Sequence, residues 1–176
     1  TMGELTARKL YNLGGQALNK EDYLRAFEYF LKCAKRGEAE AQYILGVMYE
    51  DALGVEQNDD KAAKWYLKAA EQGEATAQCK LGIMYEEGRG VERNDIEAAK
   101  WYCKAAEQDN ADAQLNLGIM YEEGRGVEQS NTKAVMWFRK AAEQGNAAGQ
   151  FTLGVLYTKG QVVERDFKKA AGWYRK

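Results

Sequence analysis

Residues 73–108 read GEATAQCKLGIMYEEGRGVERNDIEAAKWYCKAAEQ, and residues 109–144 read DNADAQLNLGIMYEEGRGVEQSNTKAVMWFRKAAEQ. Set one above the other, the blocks share LGIMYEEGRGVE without a gap and end on the same KAAEQ. Outward from them, Leu45-Gly46, Leu81-Gly82, Leu117-Gly118 and Leu153-Gly154 recur every 36 residues. Tyr49, Tyr85, Tyr121 and Tyr157 keep the same spacing, as do Trp65, Trp101, Trp137 and Trp173. Gly37, Gly73 and Gly145 hold another place in the series, with Asp109-Asn110 substituting once. A period in this range predicts a solenoid of small stacked units.

Each unit reads as two helices. Between Ala75 and Glu87 the apolar residues Ala77, Leu81, Met84 and Tyr85 are spaced by three and four, which places them on one helical face. Gly88-Arg89-Gly90-Val91 ends that helix, since glycine accepts the left-handed backbone of a C-terminal stop. Asp95 is placed to cap a second helix, which carries Ala98, Ala99, Trp101, Tyr102, Ala105 and Ala106. Asn131, Asp166 and either Asp59 or Asp60 are the expected caps elsewhere. Gly46, Gly82, Gly118 and Gly154 lie inside helices, where glycine costs about 1 kcal/mol against alanine. Repeating that cost implies close helix–helix contact there, with aromatic bulk opposite, so the repeated tryptophans and tyrosines are expected in the core.

The pattern Ala41-x-x-x-Leu45-Gly46-x-x-Tyr49, then Gly54-Val55, then Ala62-x-x-Trp65-x-x-x-Ala69-Ala70-x-x-Gly73, resembles the Sel1-like repeat family over nearly the whole chain. That resemblance implies an all-α fold, an α/α superhelical solenoid related to the tetratricopeptide repeats. One solenoid domain over residues 1–176 is expected, with repeats near 4–36, 37–72, 73–108, 109–144 and 145–176, the last with an incomplete second helix. The first unit departs from the pattern: Gly14 to Gly46 is 32 residues, so its inner loop near Asn19-Lys20 is shorter, and Tyr29 stands in the tryptophan's place. Cysteine pairs about eight residues apart, the family's disulfide pattern where it has one, do not occur. The chain stops at Arg175-Lys176 within the expected helix, which reads as a cut from a longer array, and Thr1-Met2-Gly3 reads as a cloning remnant.

Composition removes most chemistry. There is no histidine and no proline, and Ser130 is the only serine, so histidine bases, histidine metal ligands and Ser-His-Asp triads are excluded. The net charge of −2 argues against a nucleic-acid binder held by phosphate contacts. Cys33, Cys79 and Cys103 lack C-x-x-C spacing and read as small hydrophobes independent of disulfides. No run of 18 apolar residues occurs to span a membrane, and no signal-peptide pattern, which leaves cytoplasm and periplasm both open. Gly88-Arg89-Gly90 and Gly124-Arg125-Gly126 lack the third glycine and the preceding strand of a dinucleotide loop; they read as inter-helix loops with solvated arginines. Glu86-Glu87 and Glu122-Glu123 sit at a repeating helix end and read as a solvated face, and Asn58-Asp59-Asp60 lacks calcium-loop spacing. No catalytic residue, cofactor or metal is expected.

Core positions repeat, whereas surface positions are free to differ. Two residues before each repeated leucine stand Tyr43, Cys79, Leu115 and Phe151; four further on come Val47, Ile83, Ile119 and Val155. Then follow Glu50, Glu86, Glu122 and Thr158, while Glu40, Thr76, Asp112 and Ala148 precede the first set. These spacings keep all of them on one face of the first helix of each unit. The resemblance assigns that face to a concave groove, with an apolar floor and acidic margins, suited to a peptide or protein with apolar anchors and basic residues. The expected function is a non-enzymatic adaptor or scaffold. A narrower variant is an immunity protein neutralising one secreted effector. A hydrolase acting on cell-wall or antibiotic compounds, using a carboxylate such as Glu86, and a passive spacer are the rivals.

Overall fold

The computed structural model describes residues 5–160 and 163–175. Thr1-Met2-Gly3, the start of the first expected repeat at residue 4, and Lys176 lie outside the described residues. Among the described residues every regular element is a helix: α1 (Ala7–Asn19), α2 (Tyr23–Lys35), α3 (Ala39–Glu50), α4 (Asp59–Glu71), α5 (Ala75–Glu87), α6 (Asp95–Glu107), α7 (Ala111–Glu123), α8 (Asn131–Glu143), α9 (Ala147–Lys159) and α10 (Phe167–Tyr174). Two compact units result, one ending at Arg93 and the other starting at Asn94.

In the first unit α1 packs on α2, α2 on α3, α3 on α4 and α4 on α5. Leu10, Phe30, Cys33, Leu45 and Met48 form a core cluster there. The helical glycines make this packing possible. A Cβ on Gly14 would come 2.8 Å from the ring of Phe30, and one on Gly46 would enter the ring of Tyr66. In the second unit α6 packs on α7, α7 on α8, α8 on α9 and α9 on α10, around Phe138, Leu153 and Leu156. Here Gly118 faces Phe138 and Gly154 faces Tyr174. The aromatic bulk opposite each glycine is thus the residue after the tryptophan position. Tyr66, Tyr102 and Phe138 are fully buried; of the tryptophans expected in the core, Trp101 and Trp137 are buried and Trp65 and Trp173 half-buried. Lys68, Lys104 and Lys140, one turn later, lie 4.5, 4.0 and 4.7 Å over Trp65, Trp101 and Trp137. A cation over an indole face is held by the ring's quadrupole, which explains the lysine in each KAAEQ segment.

Three features correct the sequence-based expectations. The caps of α4, α6 and α8 fall one residue early, at Asn58, Asn94 and Ser130, and only Asp166 of α10 stands where expected. Asn94 is extended (φ −154°), and its Oδ1 accepts from the amides of Ile96 and Glu97 at 3.1 Å. An N-cap needs that extended backbone, whereas Asp95 is already helical. Arg89 and Arg125, expected to be solvated, are paired. Arg89 meets Glu87 at 2.7 Å, Glu50 at 3.0 Å and Asp59 at 3.8 Å; Arg125 meets Glu123 at 2.6 Å and Asp95 at 4.0 Å. Glu87 and Glu123 at those helix ends are therefore salt-bridged, and the shifted caps leave Asp59 and Asp95 in the first turn to take part. The Gly-Arg-Gly loops are tightly docked. Gly90 and Gly126 both have φ +65°, and a Cβ on either would fall into the carbonyl group of Asp59 or Asp95 respectively.

One series went unread. Gln42, Gln78, Gln114 and Gln150 also recur every 36 residues, and all are buried. Each side-chain amide donates to the carbonyl eight residues earlier, at Ala34, Ala70, Ala106 and Ala142, over 3.0 to 3.2 Å. These carbonyls belong to the last turn of the preceding helix, where each also accepts from the amide three residues on, at Gly37, Gly73, Asp109 and Gly145. Gln72 and Gln144 complete the arrangement by donating at 2.7 Å to the Oε1 atoms of Gln42 and Gln114.

Candidate functional site

The face singled out by internal comparison lies on α3 and α5 in the first unit and on α7 and α9 in the second. On α3, Glu40 is exposed, and Tyr43 and Val47 are half-buried, the Tyr43 ring 5.8 Å from that of Tyr66. On α5, Thr76 is exposed and Ile83 and Glu86 are half-buried. Cys79, expected to touch a partner, is only 5% exposed and offers almost none of its small side chain.

Glu50 is no free margin either. It accepts from the Tyr66 hydroxyl at 2.6 Å and pairs with Lys80 and Arg89, each at 3.0 Å. Burial pushes its carboxyl up, but the hydrogen bonds from Tyr66, Lys80 and Arg89 together outweigh that and hold it below the ordinary glutamate value. Burial and the neighbouring Glu50 carboxylate push the Tyr66 hydroxyl well up, so it stays a donor. Burial and the nearby Glu40 carboxylate push the Tyr11 hydroxyl well up. Lys80 and Arg89 thus neutralise Glu50, while Glu40 stands exposed at the start of α3. Lys80, one residue after Cys79, supplies the counter-charge that a tally of carboxylates overlooked.

The second unit keeps more open surface. Asn146, the N-cap of α9, donates to Asp112 Oδ1 at 2.8 Å and so ties the starts of α7 and α9 together. Leu115 and Ile119 are half-buried against the cluster that contains Leu153 and Leu156 of α9. Phe151 stands 63% exposed on α9, its ring 5.9 Å from Tyr174, with half-buried Val155 one turn on. Glu122 is half-buried at the far end of α7, and Ala148 and Thr158 are exposed. The result is an apolar strip edged by Asp112 and Glu122.

None of the three cysteines forms a disulfide; Cys33 and Cys79 are buried and Cys103 is half-buried. Burial raises the Cys33 and Cys103 thiols, and Glu107 beside Cys103 raises it further, which disfavours the nucleophilic thiolate. Among the described residues no group of three or more cysteines and carboxylates is disposed to hold a metal ion, and no helix is long and apolar enough to cross a membrane.

The Sel1 repeat matches five times, over residues 6–38, 39–74, 75–110, 111–146 and 147–176. The chain belongs to the Sel1 repeat family. Sel1 repeat proteins are α/α solenoids related to tetratricopeptide repeats, typically protein-interaction modules and generally non-enzymatic. Four of the matches begin on the first residue of a helix: Ala39, Ala75, Ala111 and Ala147 open α3, α5, α7 and α9. A protective antigen of uropathogenic Escherichia coli strains with an SLR fold is similar at TM-score 0.92 and 38% identity, covering 97% of this chain and 37% of its own. The chain thus spans little more than a third of that protein. A Sel1 repeat protein from Oxalobacter formigenes is similar at TM-score 0.86 and 38% identity, covering 94% of this chain and 68% of its own. Cysteine rich protein B of Helicobacter pylori follows at TM-score 0.56 and 25% identity, covering 84% of this chain and 96% of its own. No curated protein matches the sequence.

Proposed function

We propose that this chain is a non-enzymatic docking module that binds a protein or peptide segment on the face of α7 and α9 formed by Leu115, Ile119, Phe151 and Val155. Tyr43, Val47 and Ile83 form the corresponding face of the first unit. Phe151 carries the reading: a phenylalanine 63% exposed, at the repeat position whose identity changes in every unit. Buried beneath it, the Leu-Gly series does not change at all. Fully burying such a side chain contributes about 1.5–3 kcal/mol, enough to make one aromatic the anchor of an interface. Asp112 and Glu122 at the edges favour a partner with lysine or arginine beside its apolar anchors. An adaptor or scaffold role follows from that chemistry.

The test is affinity capture with the intact chain beside Leu115→Asp/Phe151→Asp, both shown to be folded by circular dichroism. A partner held by the first and lost by the second supports the reading. A partner held equally by both overturns it and moves binding to another surface.

A further inference from the structure

The second helix of each repeat carries its own internal comparison. In α4 an exposed Lys64 is followed one turn later by half-buried Leu67, and in α6 exposed Lys100 is followed by half-buried Cys103. In α8 the chemistry is exchanged. Met136 takes the lysine position and is 43% exposed, and an exposed Arg139 takes the apolar one. Val135 replaces the buried Ala63 and Ala99 of the other two helices and is half-buried. A methionine in place of a solvated lysine exposes apolar surface that the same backbone elsewhere avoids.

These residues line a cleft of about 400 Å³ between α8 and Val163, four residues before α10. Val135, Met136 and Val163 make the apolar part, Arg139 and Lys140 bring positive charge, and Glu143 stands at the rim. Arg139 is positioned by one hydrogen bond, from Nη2 to the hydroxyl of Tyr157 at 3.2 Å. Among the described residues no carboxylate forms a salt bridge with it, in contrast to Arg89 and Arg125, each held by two or more. Its remaining donors form the planar fork that carboxylates fit. Lys140 keeps its ammonium over Trp137, at the same side of the helix. The volume suits one or two side chains rather than a whole helix.

We propose that this cleft is a second docking site, which takes an acidic peptide segment of a protein partner, one apolar side chain entering between Val135, Met136 and Val163 while the adjoining carboxylate pairs with Arg139. It differs from the α7–α9 face in residues and in charge preference, and does not depend on it.

The probe is a phage-displayed library of random heptapeptides, panned against the full chain and against Met136→Lys/Arg139→Leu, which restores the side chains of α4 at these two positions. The best clone is then synthesised and its affinity measured by fluorescence anisotropy. Selected sequences should place Asp or Glu beside Leu, Ile or Phe. The double variant should weaken binding at least about tenfold, since a hydrogen bond to a charged group is lost together with apolar contact. Arg139→Gln alone should weaken it in the same direction, Glu143→Gln should strengthen it, and Leu115→Asp/Phe151→Asp should leave it unchanged. Failure to enrich any heptapeptide on the full chain over the double variant would overturn the proposal. So would enriched peptides without acidic residues, or equal affinity for the full chain and Arg139→Gln.

Discussion

Gly118→Ala and Gly15→Ala are the same substitution in two helices, and the packing requires them to act in opposite directions. In solvent-accessible helix interiors, alanine exceeds glycine by about 1 kcal/mol, through backbone entropy. Gly15 in α1 has nothing within 4 Å of an added Cβ, so this gain should appear almost whole. Gly118 in α7 is otherwise placed. Its Cβ would lie 2.5 Å from Cε1 and 2.6 Å from Cδ1 of Phe138, and 3.3 Å from the carbonyl oxygen of Ala134. Phe138 is 1% exposed, so its ring has no free space to enter. Restoring an ordinary carbon–carbon separation of about 3.5–4.0 Å means moving the ring, or α7 against α8, by about 1 Å. Overpacking of that kind costs about 1–3 kcal/mol, which outweighs the propensity gain. Gly118→Ala should therefore lose about 1–2 kcal/mol in urea unfolding followed by circular dichroism, while Gly15→Ala gains up to about 1 kcal/mol. Equal shifts of the same sign, or a stabilised Gly118→Ala, would refute the claim that these glycines exist for helix contact.

Gly126→Ala combines left-handed backbone with a clash against the carbonyl of Asp95, and the loss in thermal or urea unfolding should reach about 3 kcal/mol or more. Replacing Gln114, fully buried, by the similarly shaped methionine takes one of two donors from the Ala106 carbonyl, which keeps the amide of Asp109, and the acceptor from Gln144, and should cost about 1 kcal/mol by the same assay. For Glu50 the folded carboxyl titrates below its unfolded value, so the stability it adds is present above the ordinary glutamate pKa, near 4.3, and is lost as pH falls through the folded value. Accordingly, the stability of Glu50→Gln should decline less on acidification than that of the parent, while near neutral pH the variant is the weaker of the two; parallel pH profiles would exclude the assigned role.

The repeat, the helix bounds near Ala75 and Glu87 and the contact role of the helical glycines were legible in the sequence because each leaves a mark at fixed spacing. What escaped notice did so for physical reasons. Asn58-Asp59 and Asn94-Asp95 offer two capping side chains in succession, and only backbone conformation chooses between them. Arg89 reaches Glu50 across 39 residues of chain, a distance no local pattern encodes. Phe151 and Cys79 occupy one repeat position, yet one is exposed and the other buried, and half-buried Tyr43 at the same position shows that exposure follows the surroundings of each copy, which the period does not encode. The buried glutamines were visible in the period itself, but a polar residue at a core position draws attention only when its hydrogen-bond partners are known.

The glutamine bonds carry a consequence for how such a chain can change length. Gln42 reaches Ala34 and receives Gln72, and Gln114 reaches Ala106 and receives Gln144, with the same separations of 8 and 30 residues in each case. The same two bonds thus recur once within each compact unit. Unequal recombination that inserted or excised a whole 36-residue block would bring the same donors and acceptors to these contacts again, while the variable outward residues were reshuffled. Gene duplication can lengthen the array without designing a new junction, which frees selection to act on surfaces alone.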